Sequence, residues 1–385
     1  MMQLCFTILW MKPKKEARHS WKSASPISRS IHISHKKHIN RINSSSMRFE
    51  IKEKTLHFKQ PAGTSRGVYT TRRSWFITLT DDEGNSGVGE CAPLPNLSCD
   101  DIPKYYDILY GFTKSLCDNG ELPINDLRHY PSMLYGLETA LMSLCPNNHH
   151  LFDTPFAKGK EGIPINGLVW MGSYEEMLPR MEEKLKLGFR CVKIKIGAID
   201  FDDELRLLAL IRKRFSKESI ELRVDANGAF APSEALKKIE QLSRYDIHSI
   251  EQPIKQGQWE ALARLCKSAS LPIALDEELI GINDIGKKEE LLDVIRPQYI
   301  VLKPSLHGGM VGTREWIKFA EQRGIGSWIT SALESNIGLN AIALLCADVY
   351  GPKITFPQGL GTGQLFTDNI PMPLKICGDE LWISE

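Results

Sequence analysis

Cys191-Val192-Lys193-Ile194-Lys195-Ile196-Gly197 sets two lysines, one residue apart, inside a short apolar run. Four later runs have the same form: Leu222-Arg223-Val224-Asp225-Ala226-Asn227, Ile250-Glu251-Gln252-Pro253, Ile273-Ala274-Leu275-Asp276-Glu277 and Ile300-Val301-Leu302-Lys303-Pro304. The steps from Lys195 to Asp225, Glu251, Asp276 and Lys303 are 30, 26, 25 and 27 residues. A strand of about five residues, a helix of about a dozen and two short loops fill that much chain.

Parity within each run says which way the charges point. Successive strand side chains face opposite sides, so Lys193 and Lys195 share one face while Val192, Ile194 and Ile196 share the other. Arg223, Asp225 and Asn227 likewise oppose Leu222 and Val224, and Lys303 opposes Ile300 and Leu302. Between the runs, residues 202–215, 233–242 and 258–268 space their apolar positions near the 3.6 period of a helix. Strand and helix in alternation predict a parallel sheet, and units that each end in an inward polar residue predict a closed eight-fold barrel with its site at the strand ends.

The chain has room for more than a barrel. At 385 residues it exceeds the roughly 200 to 250 of a barrel by about one smaller domain. Residues 48–59 alternate, 74–80 read as a strand, Asp81-Asp82-Glu83-Gly84-Asn85 as a turn and 86–90 as a further strand. Helical patterns at 101–117 and 131–144 complete an α+β domain over 47–150. The stretch 153–162 reads as a linker, residues 160–355 as the barrel, and 356–385 as a last strand and tail returning to the first domain.

A formal charge of +1, with 25% charged residues, gives no electrostatic case for nucleic acid. Nine cysteines without a C-x-x-C pair read as reduced thiols of a cytoplasmic protein, and no run is long enough to cross a bilayer. The first 46 residues differ from the rest: nine Lys or Arg against one acid give +8, leaving −7 for 47–385. Rich in Ser and His and without periodicity, residues 1–46 are expected to be a disordered extension, with Met47 as the working start.

Three carboxylates at the ends of three successive parallel strands converge on one point. Hard oxygen ligands that leave room for water and substrate suit Mg²⁺ better than zinc, and a cation relieves acids gathered in a barrel mouth. Lysines on both sides of such an ion suit proton removal next to a carboxylate, a reaction in which a divalent ion stabilises the developing enediolate. A lysine acts as base when a neighbouring cation lowers its pKa, and Lys193 beside Lys195 has that spacing. The position of Lys303, after Asp276, puts it across the mouth from Lys195.

Taken in order, the K-x-K of Lys193 and Lys195, the D-x-N of Asp225 and Asn227, Glu251-Gln252-Pro253, Asp276-Glu277 and Lys303 resemble the motifs of the enolase superfamily, muconate-lactonising branch. Gly89-Glu90 is similar to its capping domain, and the resemblance covers the chain from Met47 onward. It implies a modified (β/α) barrel with an amino-terminal α+β capping domain, with Asp225, Glu251 and Asp276 as ligands of Mg²⁺, for which Mn²⁺ can substitute. It further implies Lys195 as base, Lys193 as its tuning group and a contact for the substrate carboxylate, and Lys303 as the group on the opposite face. Capping loops at 61–73 and 92–98 would choose the substrate.

Within that branch, Ser331-Ala332-Leu333-Glu334-Ser335 and Gly359-Leu360-Gly361-Thr362-Gly363 are similar to the carboxylate-contacting segments of o-succinylbenzoate synthases. Asn227, Ser331, Glu334, Gly361 and Thr362 are therefore expected to contact substrate. The implied reaction is the syn dehydration of 2-succinyl-6-hydroxy-2,4-cyclohexadiene-1-carboxylate in menaquinone biosynthesis, by a lyase acting on a small carboxylate, with no nucleic-acid or membrane partner. Racemisation of N-succinylamino acids is the near alternative. Dipeptide epimerisation is disfavoured because residues 356–363 lack the acidic pair that holds a substrate ammonium, and a binding-only barrel would be expected to lose one of the five charged positions.

Overall fold

The computed structural model describes residues 47–64, 67–144, 153–170 and 173–384, so the expected basic extension over 1–46 lies outside the described residues. Strands β1 (Arg48–Thr64), β2 (Gly67–Thr80) and β3 (Ser86–Cys91) form an antiparallel sheet in that order. The turn between β2 and β3 is closed by Asp81, whose Oδ1 accepts from the N–H groups of Glu83 (3.0 Å) and Asn85 (2.8 Å). Helices α1 (Tyr105–Asn119), α2 (Ile124–Leu127) and α3 (Pro131–Leu144) follow. Helix α3 is buried along nearly its whole length and lies so close to β3 that a Cβ on Gly89 would overlap the Gly136 carbonyl.

One expectation for this domain changes. Of residues 61–73, read as a capping loop, 61–64 and 67–73 belong to the long β1 and β2 strands, whose antiparallel ladder runs from Arg48↔Thr80 to Thr64↔Gly67. The ladder is interrupted between His57 and Ala62, and such bulges bend a strand and increase its twist. The element expected to choose the substrate is thus a bulged hairpin rather than a free loop. Residues 92–98 do form a turn-rich loop, tied by the Leu94 N–H donating to Ser98 Oγ (2.7 Å).

The second domain begins with β4 (Ile163–Pro164) and β5 (Gly167–Val169) and continues as α4 (Tyr174–Lys186), β6 (Cys191–Lys195), α5 (Phe201–Arg214), β7 (Glu221–Asp225), α6 (Pro232–Leu242), β8 (Ile247–Glu251), α7 (Trp259–Ser268), β9 (Ile273–Leu275), α8 (Ile285–Ile295), β10 (Tyr299–Leu302), α9 (Gly309–Gln322), β11 (Gly326–Ile329) and α10 (Asn336–Tyr350). Strands β5 to β11 make one parallel sheet in sequential order. The eighth position is held by two residues: Gln358 bridges Ile165 and Gly359 bridges Thr330, both parallel, closing the ring. Pro357 has no N–H to extend the ladder, and the lack of a Cβ at Gly359 permits its close approach to Thr330.

The predicted parity holds in the packing. Val192, Ile194, Leu222, Val224, Ile250 and Ile300 join the large core between sheet and helices, with Leu207, Ile211, Ile239 and Leu262 from the helices. Inside the ring, Arg223 is fully buried, stacked on Phe356 (4.2 Å) and Trp328 (4.8 Å) and donating to Pro357 O (2.9 Å) and Glu221 Oε1 (2.8 Å). The chain then meets β1, with Thr367 N–H donating to His57 O (2.9 Å), before β12 (Leu374–Cys377) pairs with β13 (Glu380–Ile383) and β13 with β4.

Two capping-domain glutamates lock the domains together by closing helix N-termini. Glu138 accepts from the N–H groups of Met310 (2.6 Å) and Val311 (3.1 Å) at the start of α9. Glu90 accepts from Ser335 N (3.0 Å), Ser335 Oγ (2.6 Å) and Gly338 N (3.0 Å) at the start of α10. Among the described residues, no helix is long and apolar enough to cross a membrane.

Candidate active site

The in-register ladder Lys195↔Asp225↔Glu251 sets one base and two acids side by side at the ends of β6, β7 and β8. Asp276 follows β9, and Lys303 follows β10. Lys195 Nζ stands 2.7 Å from Asp225 Oδ2 and 2.7 Å from Asn227 Oδ1. Lys193 Nζ lies between Asp225 Oδ2 (3.2 Å) and both Glu251 oxygens (3.0 and 2.9 Å), and Lys303 Nζ pairs with Asp276 Oδ2. In a ring of eight positions β6 and β10 are four apart, so Lys195 and Lys303 come from opposite sides.

All three acids are buried, at 0 to 2% exposure, so the lysines supply the charge that ionised acids need there. Burial opposes ionisation of Asp225, but Lys195 and Lys193 outweigh it and hold the carboxyl well below its usual range. Burial and then the Asp225 charge push Glu251 up to about 8. Burial pulls the Lys193 ammonium down, but Glu251 and Asp225 hold it above the ordinary lysine value; Lys303 is held up in the same way by Asp276 and Glu277. In this structure Lys193 serves directly as counter-charge to two acids.

Among the described residues, no three His, Cys, Asp or Glu side chains stand in a finished ligand shell, because the lysines engage the carboxylates. The donor set nevertheless fits a hard divalent cation: three buried carboxylates from adjacent strands, with Asp276 Oδ1 lacking a hydrogen-bond partner among the described residues.

The strand ends are held by groups the motifs only partly disclosed. Gln252, at φ 37°, accepts from the N–H groups of Asp276 and Glu278 (both 3.2 Å) and donates to Ile254 O (3.0 Å), linking the turns after β8 and β9. Asn227 accepts from Lys195, and its Nδ2 donates to Glu277 Oε1 (2.9 Å). Arg72 is 1% exposed and donates to Pro93 O (2.5 Å), Ala92 O, Leu333 O (3.2 Å) and Ala332 O (3.3 Å). One guanidinium therefore joins the capping loop to the turn after β11. Its signal in the sequence is only an arginine at the end of a stretch that reads as a loop, indistinguishable from a solvated one.

A cavity of about 370 Å³ opens above the lysines. Lys193, Lys195, Lys303, Asn227 and Glu277 line it, with Ala62, Leu94, Leu97, Trp170, Leu333 and Leu365 as its apolar side. Of the expected substrate contacts, Asn227, Ser331, Gly361 and Thr362 line the cavity, and Ser331 Oγ meets Thr362 Oγ1 at 2.5 Å. Glu334 does not. It is fully buried behind the wall, accepting from Ser305 Oγ (2.5 Å) and Ala332 N (2.7 Å), so its place in the turn after β11 is structural. The turn at Leu333, φ 63°, swings the chain so that Leu333 meets the cavity and Glu334 faces inward.

Comparison with known proteins agrees with this geometry. The barrel matches the family model "Enolase C-terminal domain-like" over residues 176–360, and the capping domain matches "MenC, N-terminal domain" over 64–144. The o-succinylbenzoate synthase of Desulfotalea psychrophila is 44% identical over 372 residues, covering 88% of this chain and all of the relative. The crystal structure of MenC from that organism superposes with a TM-score of 0.77 at 40% identity, over 88% of this chain and 100% of the other. The muconate lactonizing enzyme from Pseudomonas fluorescens shares the fold, with a TM-score of 0.73 at 22% identity over 89% of this chain and 95% of the other.

A capped barrel with acids and lysines on successive strand ends is the architecture of the enolase superfamily, whose members generally depend on a divalent metal. Within it, the chain belongs to the o-succinylbenzoate synthase family, hydro-lyases of menaquinone biosynthesis.

Proposed function

We propose that this chain dehydrates the hydroxycyclohexadiene carboxylate to o-succinylbenzoate with Mg²⁺, as a cytoplasmic enzyme acting on a small dicarboxylate. The observation that carries the reading is the meeting of Lys193, Lys195 and Lys303 with three buried carboxylates at the closed end of one cavity. Asp225, Glu251 and Asp276 would hold the ion, which when bound stabilises the negative charge that develops on the substrate carboxylate. Lys195 removes the proton alpha to that carboxylate. Breaking the C–O bond on the same face releases hydroxide, to which Lys195 returns the proton as water, and the ring becomes aromatic. Lys303, from the opposite side, contributes positive charge.

A second reading keeps one observation in its favour. Lysines on opposite sides of one cavity also suit racemisation of an N-succinylamino acid, in which one removes and the other delivers a proton. Dipeptides fit less well, because residues 359–362 present Gly359, Gly361 and Thr362 to the cavity and no carboxylate for an ammonium. The test is to assay both substrate classes with Mg²⁺, following formation of the aromatic product by absorbance and racemisation by polarimetry. Racemisation more efficient than dehydration replaces the first reading with the second.

A further inference from the structure

The bulge in β1 exchanges one partner for another. Between His57 and Ala62 the ladder to β2 is broken, and residues 58–61 turn towards the barrel. The Lys59 N–H donates to Leu365 O (2.8 Å), and the Phe58 and Phe366 rings meet at 4.5 Å between centroids. That exchange brings Lys59, Gln60 and Ala62 to the wall of the cavity, as bulges re-aim side chains beside sites.

Lys59 differs from the other cations of the cavity. Lys193, Lys195 and Lys303 each hold a buried acid, Lys184 lies 3.4 Å from Glu183, and Arg180 donates to Trp170 O (3.3 Å). No ion pair among the described residues involves Lys59. Its side chain is exposed, on the wall of the cavity beside the apolar cluster of Ala62, Leu94, Leu333 and Leu365.

A substrate with two carboxylates must place them apart. The reacting carboxylate belongs at the lysine floor, so the second needs a cation elsewhere on the wall. We propose that Lys59 is the counter-charge for the distal carboxylate of the succinyl chain, making the bulged hairpin the element that selects diacids. This rests on the function proposed above.

The experiment measures binding of o-succinylbenzoate, and of the analogue whose side-chain carboxylate is a carboxamide, to the full chain with Mg²⁺ by calorimetry, alongside turnover of the diacid precursor. A charge-assisted hydrogen bond predicts that wild type prefers the diacid by about 10- to 100-fold. Lys59→Met should bind the two ligands alike and raise KM by the same factor with a much smaller change in kcat, while Lys59→Arg should keep the preference. Wild-type turnover together with an undiminished preference in folded Lys59→Met overturns the assignment of Lys59 alone. Wild type that neither binds o-succinylbenzoate nor dehydrates its precursor overturns the functional reading, and this inference with it.

Discussion

Lys195 and Asp225 are direct partners across β6 and β7, with Nζ 2.7 Å from Oδ2 at the floor of the cavity. A lysine that lines the cavity is thus also a counter-charge to a buried acid. Lys195→Met should lower kcat by about 10³-fold or more, within the range for loss of a general base. Asp225 keeps Lys193 at 3.2 Å, so the variant should stay folded. Steady-state kinetics with circular dichroism check both; a folded variant within tenfold of wild type removes Lys195 as the base.

The acids make a separate prediction about the ion. Mg²⁺ at about 100 times its Kd should stabilise the wild type by about 2.7 kcal/mol and raise its thermal midpoint by several degrees. Asp225→Asn, Glu251→Gln and Asp276→Asn should each abolish turnover and most of that shift. Full activity in excess chelator, or an unchanged shift in any two variants, would take the metal away from these residues.

Glu138 links stability to pH. Burial at the domain interface pushes its carboxyl up to about 7 from an ordinary value of 4.5, although the Met310 and Val311 N–H groups favour the ionised form. Between those two values the folded protein binds more protons than the unfolded chain, so stability falls as pH rises from about 4.5 to about 7. Conversion of the full shift bounds the loss at about 3 kcal/mol. Denaturant unfolding of wild type and Glu138→Gln across this window tests it. The variant should show the shallower decline, and parallel curves would mean that Glu138 is not the linked group.

Much of this arrangement was legible because barrel chemistry repeats with the strand. The spacing of Lys195, Asp225, Glu251, Asp276 and Lys303 disclosed the fold, and parity disclosed which side chains face inward. Arg72 and Glu90 were not legible as domain clamps, since the partners they reach in the barrel domain, the Leu333 carbonyl and the Ser335 N–H, are more than 240 residues away. Glu334 misled for a related reason: its neighbours Ser331 and Leu333 line the cavity, and only the positive φ at Leu333 turns Glu334 away. The bulge in β1 carries Pro61, with Gly63 and Gly67 soon after, and residues of that kind read as a loop although a bulge also accepts them.

Close approach of β3 and α3 gives a structural prediction. A Cβ at Gly89 would overlap the Gly136 carbonyl and crowd Ala140 N, both backbone groups that cannot rotate away. Gly89→Ala should therefore destabilise the capping domain by about 1 to 3 kcal/mol, the usual cost of overpacking. Thermal unfolding reads this directly, and an unchanged midpoint would mean that the two elements separate more easily than their packing implies.

Lys303 separates the two reactions that the site could perform. In a syn elimination one lysine both takes the proton and returns it to the departing hydroxide, so Lys303→Ala should slow dehydration by about 10²- to 10³-fold, as expected for one stabilising group. Racemisation needs proton delivery from the opposite face, so the same variant should lose it completely. It should still exchange the alpha hydrogen of one N-succinylamino acid enantiomer with deuterated water through Lys195. Wild type should dehydrate the cyclohexadiene with kcat/KM above about 10⁴ M⁻¹s⁻¹ and racemise N-succinylamino acids less efficiently. If the order of the two efficiencies is reversed in wild type, the chain is a racemase by preference, and the lysine positions on opposite sides of the barrel are the reason.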